Sequence, residues 1–238
     1  MDRKKLPFLI DTSSELAKWR AESFYTKEPE TIRWIEFWTK SNASVMLLDV
    51  GANIGVYSLF AASESTNCLV FACEPLQENL LELHKNIALN SFGPNIKVHE
   101  VALGRRGAEA IGNLIIGDTR PGASGAQLSD LTVGNRRNVT VSTGDQLLSN
   151  VDSEVIIVKI DTDGNELDVL DGLTTQLRMK TIRSILVECS DETIEPVDQL
   201  LTNFGYVLKT DDVGPHSDDR RIGMGKVERN RIYEISLQ

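Results

Sequence analysis

A doubly wound α/β domain on a mainly parallel seven-stranded sheet, with an antiparallel C-terminal hairpin strand, is the fold this sequence predicts. Three observations carry the expectation. Short apolar runs that end in polar or acidic residues alternate with helical patterns. A glycine turn follows the first of those runs, where a nucleotide-type fold places it. The last two runs flank a polar segment, as the strands of a terminal hairpin do.

Taken in order, residues 1–43 read as a helical segment, centred on Ile32 to Trp38 and started by Glu28-Pro29-Glu30. Its three tryptophans, Trp19, Trp34 and Trp38, read as packing against the sheet or capping a cleft. The runs "SVMLLDV" (44–50), "CLVFACE" (68–74), "IKVHEVAL" (96–103), "EVIIVKID" (154–161) and "IRSILVEC" (182–189) read as buried strands. Between them, Val56, Leu59 and Phe60 mark one helix, and Leu80, Leu83 and Ile87 mark another by their apolar stripe. A later helix carries Val197, Leu200, Leu201 and Phe204, with Gly205 at its C-terminus. The runs "GYVLKT" and "RIYEISLQ" predict the hairpin, joined by a loop over 211–230. One interval, 104–150, breaks the α/β rhythm with glycine, serine and polar residues. It predicts a hairpin or loop insertion and a candidate substrate wall.

Length and charge bound the function. The 238 residues suit a single domain over 1–238, with no Gly/Ser-rich or Pro-rich linker to divide it. With 25 basic against 35 acidic side chains, the net charge of -10 repels a phosphate backbone, and the basic residues form only isolated pairs. Nucleic acid is therefore not an expected partner. Cys68, Cys73 and Cys189 follow no metal-ligand spacing and read as free thiols in a reducing compartment, with Cys73 and Cys189 packed in the core. The apolar run at the start stops at Asp11, too short for a signal segment, and no stretch approaches the roughly 20 apolar residues of a membrane span. A cytoplasmic location is the expectation.

The turn "DVGANIG" (49–55) has the spacing G-x-x-x-G and not the dinucleotide pattern G-x-G-x-x-G. Gly51 and Gly55 would allow a ligand close to the backbone, and Asp49 stands two residues before the first of them. A carboxylate there opposes a pyrophosphate, because like charges about 4 Å apart cost on the order of 4 kcal/mol at an effective dielectric near 20. A cationic ligand gains instead. Glu74, nineteen positions after Gly55, ends the second strand where an acid accepts the hydrogen bonds of a ribose diol. Together these acids ask for a phosphate-free nucleoside bearing a cation, which is the chemistry of S-adenosylmethionine.

The second constellation is "VKIDTDGNELDVLDGL" (158–173). Lys159 and Asp161 share one strand face, and a lysine near the end of an apolar strand is costly to bury unless paired. Glu188 ends the following strand, so Lys159, Asp161 and Glu188 are the candidate catalytic residues. Asp161 either accepts a hydroxyl proton or orients the acceptor, with Lys159 pairing with it or stabilising a developing alkoxide. The competing reading makes Lys159 and Asp161 an ion pair that only braces the pocket. Asp163 and Glu166 read equally as helix caps. A divalent cation on Asp161 and Glu188 is the metal alternative; the sequence offers no clear third ligand, and none is expected. Of the three histidines, only His216 falls where it could face a substrate.

These residues resemble the FkbM family of S-adenosylmethionine-dependent methyltransferases, whose hallmarks stand here as "DVGANIG", "CEP" (73–75), "VALG" (101–104) and "KIDTDGNELDVLDG" (159–172). The likeness spans roughly residues 45–206, and its last motif is the most specific. Two departures are Thr162-Asp163, where the family more often has Val-Glu, and "TGDQLL", where it tends to have Leu-Asp; Asp145 keeps the acid. The resemblance implies a Rossmann-like class I methyltransferase fold and O-methylation of a sugar or natural-product hydroxyl. It implies that Asp49, Gly51, Ala52, Asn53 and Gly55 hold the methionine end, Glu74 the ribose, and Val101 and Ala102 the adenine. A small-molecule or carbohydrate acceptor is the expected partner. The rival readings are a cofactor-binding module without turnover and a nicotinamide-dependent oxidoreductase. A nucleic-acid N-methyltransferase would show an Asn/Asp-Pro-Pro-aromatic stretch where this chain has "IDTDG".

Overall fold

The structure is a computed structural model that describes residues 5–40, 43–108, 110–129, 135–212 and 228–236. Two helices, α1 (Glu15–Lys27) and α2 (Pro29–Thr39), precede the first strand, β1 (Val45–Val50). There follow α3 (Val56–Glu64), β2 (Cys68–Cys73), α4 (Gln77–Asn90) and β3 (Ile96–His99). The insertion contributes β4 (Ala102–Leu103), β5 (Ile111–Ile115), β6 (Gln127–Leu128), β7 (Arg136–Ser142) and the short α5 (Gly144–Leu148). The chain then returns through β8 (Val155–Ile160), α6 (Glu166–Asp171), α7 (Thr174–Met179), β9 (Ile182–Ser190), α8 (Ile194–Asn203), β10 (Tyr206–Asp212) and β11 (Glu228–Ile235).

Seven strands form one sheet in the order β10-β11-β9-β8-β1-β2-β3. β1 pairs in parallel with both β2 and β8, and only β11 runs against its neighbours. The strand order reverses between β1 and β8, which opens a crevice at their carboxyl ends. Every residue of β1 is buried, because helices cover both faces. Alternation divides its side chains: Val45 and Leu47 join the core beneath α1–α4, while Met46, Leu48 and Val50 join the core beneath α5–α8. By the same alternation Asp49 lies on the α1–α4 face, and the register sets it beside Lys159.

The run 96–103, expected as one strand, is two. The Val101 N–H turns back to the His99 carbonyl, and β4 leaves the main sheet to pair with β7. A second four-stranded sheet, β4-β7-β5-β6, results, and the 104–150 interval is thereby a hairpin insertion. The polar segment 211–230 is also shorter than hydropathy suggested. β10 reaches Asp212 and β11 starts at Glu228, with the Asp211 carboxylate 2.8 Å from Arg231 Nη1. An ion pair between the strands lets polar residues stay in a ladder that composition alone would end. His216 lies outside the described residues.

Asp145 accepts from the amides of Thr175 and Gln176, so this acid caps α7. The α2 helix docks on the sheet through polar bonds as well as packing. Trp34 Nε1 donates to Ser184 Oγ at 2.8 Å, and Asn230 Nδ2 donates to Glu30 Oε1 at 2.6 Å. Of the three tryptophans, Trp34 is the one fully engaged with the sheet, while Trp38 is partly buried against the same core. Replacing Trp34 with Phe removes the bond to Ser184 and part of the packing. It should lower unfolding free energy by about 1–3 kcal/mol, read as a reduced urea midpoint; an unchanged midpoint would show that α2 is held by other contacts.

Candidate active site

The crevice at the β1–β8 switch point is a cavity lined by the glycine turn, the ends of β2, β8 and β9, the inner edge of α1, and the insertion. Gly51 sits at φ +79°, and a Cβ there would lie 1.9 Å from the Asp161 carbonyl oxygen. Two constraints thus demand glycine at Gly51: the left-handed backbone and the close crossing of β1's turn over the end of β8. That crossing sets the turn and Asp161 side by side. Gly55 differs. Its added Cβ would meet Leu83 Cδ1 at 2.4 Å, so this glycine serves the seating of α4 under the turn, and it is not among the cavity-lining residues.

Asp49 does not line the cavity either. It is buried beneath the turn, where Oδ2 accepts from Ser58 at 2.6 Å and Oδ1 has no hydrogen-bond partner among the described residues. Burial raises its pKa, against the opposing pull of Lys159 and the Ser58 hydroxyl. Ala52, Asn53, Glu74, Val101 and Ala102 all line the cavity. Glu74 accepts from the amides of Asn53 (2.8 Å) and Leu76 (2.9 Å) and from Asn79 Nδ2 (3.3 Å). Burial nevertheless pushes Glu74 up to about 7, because these donors only partly replace water around the charged form. Beyond Glu74 the wall is apolar: Leu76 packs with Leu114 and Ile116, and Leu128 joins them.

At the other end Lys159, Asp161 and Glu188 meet. Lys159 is 1% exposed, donates to Asp161 Oδ2 at 2.9 Å, and holds its ammonium 4.9 Å from the Tyr57 ring centroid. Burial disfavours its charge, yet the carboxylates of Asp161, Asp49 and Glu28 hold it above the usual lysine range. The Asp161 and Glu188 carboxyls are hydrogen-bonded to each other. Burial opposes ionisation of both; Lys159 and Lys27 overcome it for Asp161, which is held below the ordinary carboxylate range. Glu188, buried and next to that negative charge, goes well above it. The two act as one coupled carboxyl pair, in which charge is favoured on Asp161 and disfavoured on Glu188.

The α1 helix falls within the segment 1–43 expected to be helical, although that expectation centred on Ile32 to Trp38, and it contributes Trp19, Arg20 and Lys27 to the cavity, with Lys27 paired to Glu28. Its inner face meets a polar cavity and therefore lacks an apolar stripe; the cue present was Ser14, which caps the helix by accepting from the Ala17 amide. Glu166 accepts from Thr162 Oγ1 and the Gly164 amide, which makes it a brace of the turn after β8. Asp163 accepts from the Gly125 amide at 2.7 Å, and Asn165 pairs in both directions with the Leu128 backbone. These bonds pin the insertion to that turn. Among the described residues no group of three or more His, Cys, Asp or Glu side chains is placed to hold a metal ion, and no helix is long and apolar enough to cross a membrane.

The donor set fits S-adenosylmethionine: carboxylates where a cation and a diol would sit, an apolar slot for a base, a turn without a side chain, and no cradle for a pyrophosphate. Comparison with known proteins agrees. The methyltransferase sdnD of Sordaria araneosa is 25% identical over 201 residues, which cover 69% of this chain and 74% of that protein. Among solved structures, the METTL16 methyltransferase domain aligns with 99% of this chain and 76% of its own at a TM-score of 0.58 and 13% identity. Human methyltransferase 10 domain containing protein aligns at 0.54 and 14% identity, covering 99% and 92%. The magnesium protoporphyrin IX methyltransferase ChlM of Synechocystis PCC 6803, solved with bound S-adenosylmethionine, aligns at 0.52 and 9% identity, covering 99% and 90%. These three likenesses show the class I methyltransferase fold. Residues 49–208 match the model of the methyltransferase FkbM domain, and on that match the chain belongs to the FkbM family of S-adenosylmethionine-dependent methyltransferases.

Proposed function

We propose that this methyltransferase alkylates a hydroxyl oxygen of a sugar or natural-product small molecule, with the Asp161–Glu188 carboxyl pair as the group that receives the hydroxyl. The observation that carries this reading is the pair's position: Gly51 crosses directly over Asp161, so the acids adjoin the turn expected to hold the methionine end. Gly51, Ala52 and Asn53 would hold that end with Asp49 buried beneath the turn, Glu74 the ribose diol, and Val101 and Ala102 the base; Asp49 and Gly55 support the turn from behind. When bound, S-adenosylmethionine supplies an electrophilic methyl group.

The protein's own part is positional and electrostatic. Asp161, kept ionised by Lys159, accepts a hydrogen bond from the acceptor hydroxyl and turns its oxygen lone pair toward the reacting centre. Such positioning can be worth about 7–11 kcal/mol. A carboxylate held this low is a weak base, so the proton leaves late, as the oxygen becomes positively charged. It ends on the carboxyl pair. Glu188, whose own ionisation is disfavoured by burial and by the neighbouring Asp161 charge, shares that proton through its hydrogen bond to Asp161. Lys159 is a positioning residue in this scheme, since its ammonium is already spent on Asp161 and the Tyr57 ring.

The first test replaces Asp161 with Asn. Binding of S-adenosylhomocysteine by calorimetry should stay within about threefold, while methyl transfer to a panel of hydroxylated sugars slows at least about tenfold. Unchanged rates would sink the role given to the pair. A product methylated on nitrogen or carbon, identified by mass spectrometry and NMR, would overturn the choice of oxygen.

Glu74 supplies the second. A diol donates hydrogen bonds to the charged carboxylate, so binding lowers a pKa that stands at about 7 in the free protein. Nucleoside affinity should therefore rise with pH up to about 7 and level off above it, with protons released on binding below that point. Calorimetry in buffers of different ionisation enthalpy reads the release directly. The Glu74→Gln variant should bind more weakly and lose the pH dependence; a variant with the wild-type profile would remove Glu74 from the ribose site.

A further inference from the structure

The cavity presents more negative than positive side chains, yet the proposed cofactor carries a carboxylate as well as two cationic groups. Something must receive that carboxylate. Lys159 is committed to Asp161, and Lys27 to Glu28. The remaining cation lining the cavity is Arg20 on α1. Its Nε donates to the Gly122 carbonyl at 2.8 Å, and among the described residues its two terminal nitrogens have neither a hydrogen bond nor an ion pair.

That single bond fixes where the guanidinium points, and it belongs to a closed circuit. The Gly122 amide donates to Asn79 Oδ1 at 2.9 Å, and Asn79 Nδ2 reaches Glu74 Oε1 at 3.3 Å. Glu74 Oε2 accepts from the Asn53 amide at 2.8 Å, and Asn53 Nδ2 donates to the Ala123 carbonyl at 2.7 Å. The circuit ties Arg20 to the glycine turn and to Glu74 through backbone and amide groups that leave the terminal nitrogens unused. Gly122 is at φ +88°, and a Cβ there would stand 3.3 Å from Leu16 Cβ and 3.6 Å from Arg20 Nε, so the segment lies tightly against α1. A planar fork held by one nitrogen, with its other donors open, suits a carboxylate better than a flexible ammonium does.

We propose that Arg20 is the carboxylate receptor of the cofactor site, binding the α-carboxylate of the amino-acid half while Glu74 takes the ribose of the other half. The proposal rests on the cavity being the cofactor site, and its test separates the two ideas. S-adenosylhomocysteine and 5′-methylthioadenosine share the nucleoside thioether, but only the first has the amino-acid carboxylate. Calorimetry on the wild type and on Arg20→Met, with both ligands, is the experiment.

Arg20→Met should weaken S-adenosylhomocysteine by about tenfold to a hundredfold, the range for losing a charged hydrogen-bonded contact, and leave methylthioadenosine within about twofold. Arg20→Lys, which keeps the charge without the fork, should fall between. Equal losses for both ligands would mean that Arg20 only holds the 121–123 segment in place, and no loss for either would mean that it faces something else; each overturns the proposal while the cofactor site stands. A wild type that binds neither ligand would overturn the site itself and the proposal with it. Thermal melts of both variants show whether any loss of binding comes from loss of fold.

Discussion

The ammonium of Lys159, buried in the sheet among carboxylates, is the charge on which the rest of the site depends. Strand register puts it beside Asp49, two positions along the chain, just past the end of β8, is Asp161, and Glu28 comes in from the junction of α1 and α2. The Tyr57 ring closes the remaining side. Three separate segments therefore converge on one cation. Removing it would strand several buried negative charges, and breaking a buried pair in this way commonly costs about 3–5 kcal/mol. The same cation keeps Asp161 ionised in a place where burial alone would neutralise it. Fold and chemistry are linked here by a single side chain, which explains how an apolar parallel strand tolerates a lysine.

Around that charge, one wall of the cavity is formed by a part of the chain with little regular structure of its own. Residues 121–126 cross the opening between β5 and β6, and they are fastened by individual side chains. Arg20 and Asn53 donate to its carbonyls, and Asn79 and Asp163 accept from its amides. Each bond comes from a different element: α1, the glycine turn, α4 and the turn after β8. Ala123, Ser124 and Ala126 of this segment line the cavity, so these bonds fix the shape of that wall.

How much of this could be read from the sequence depended on whether a feature was periodic or merely proximate. The main strands are continuous apolar runs because both faces are buried, and they were legible. So were Glu74 and Asp161, because their positions at strand ends follow from the fold. The break at Glu100 was not legible: "IKVHEVAL" is uniformly strand-forming, and only pairing with β7, some forty residues on, draws β4 out of the main sheet. The segment 1–43 was expected to be helical, but the bounds of α1 and its part in the site were not legible, since a helix that turns Arg20 and Lys27 inward does not look amphipathic. Asp163 could be read as a cap, but nothing local shows that it would hold Gly125 across the cavity.

The glycine turn shows the same limit within seven residues. By spacing, Gly51 and Gly55 are equivalent, two small residues around a ligand. In the structure both have positive φ, yet the atoms that forbid a side chain differ: a backbone carbonyl of β8 at the first, the Leu83 side chain of α4 at the second. A carbonyl oxygen on a buried strand cannot move aside, whereas a leucine can adopt another rotamer at modest cost. Gly51 is thus fixed by the crossing that creates the site, and Gly55 by the packing that supports it. A G-x-x-x-G pattern records only that the chain passes close to something at two points. Whether that something is a ligand or the protein itself is decided by the partner elements, and those lie about thirty and about a hundred residues away in the chain.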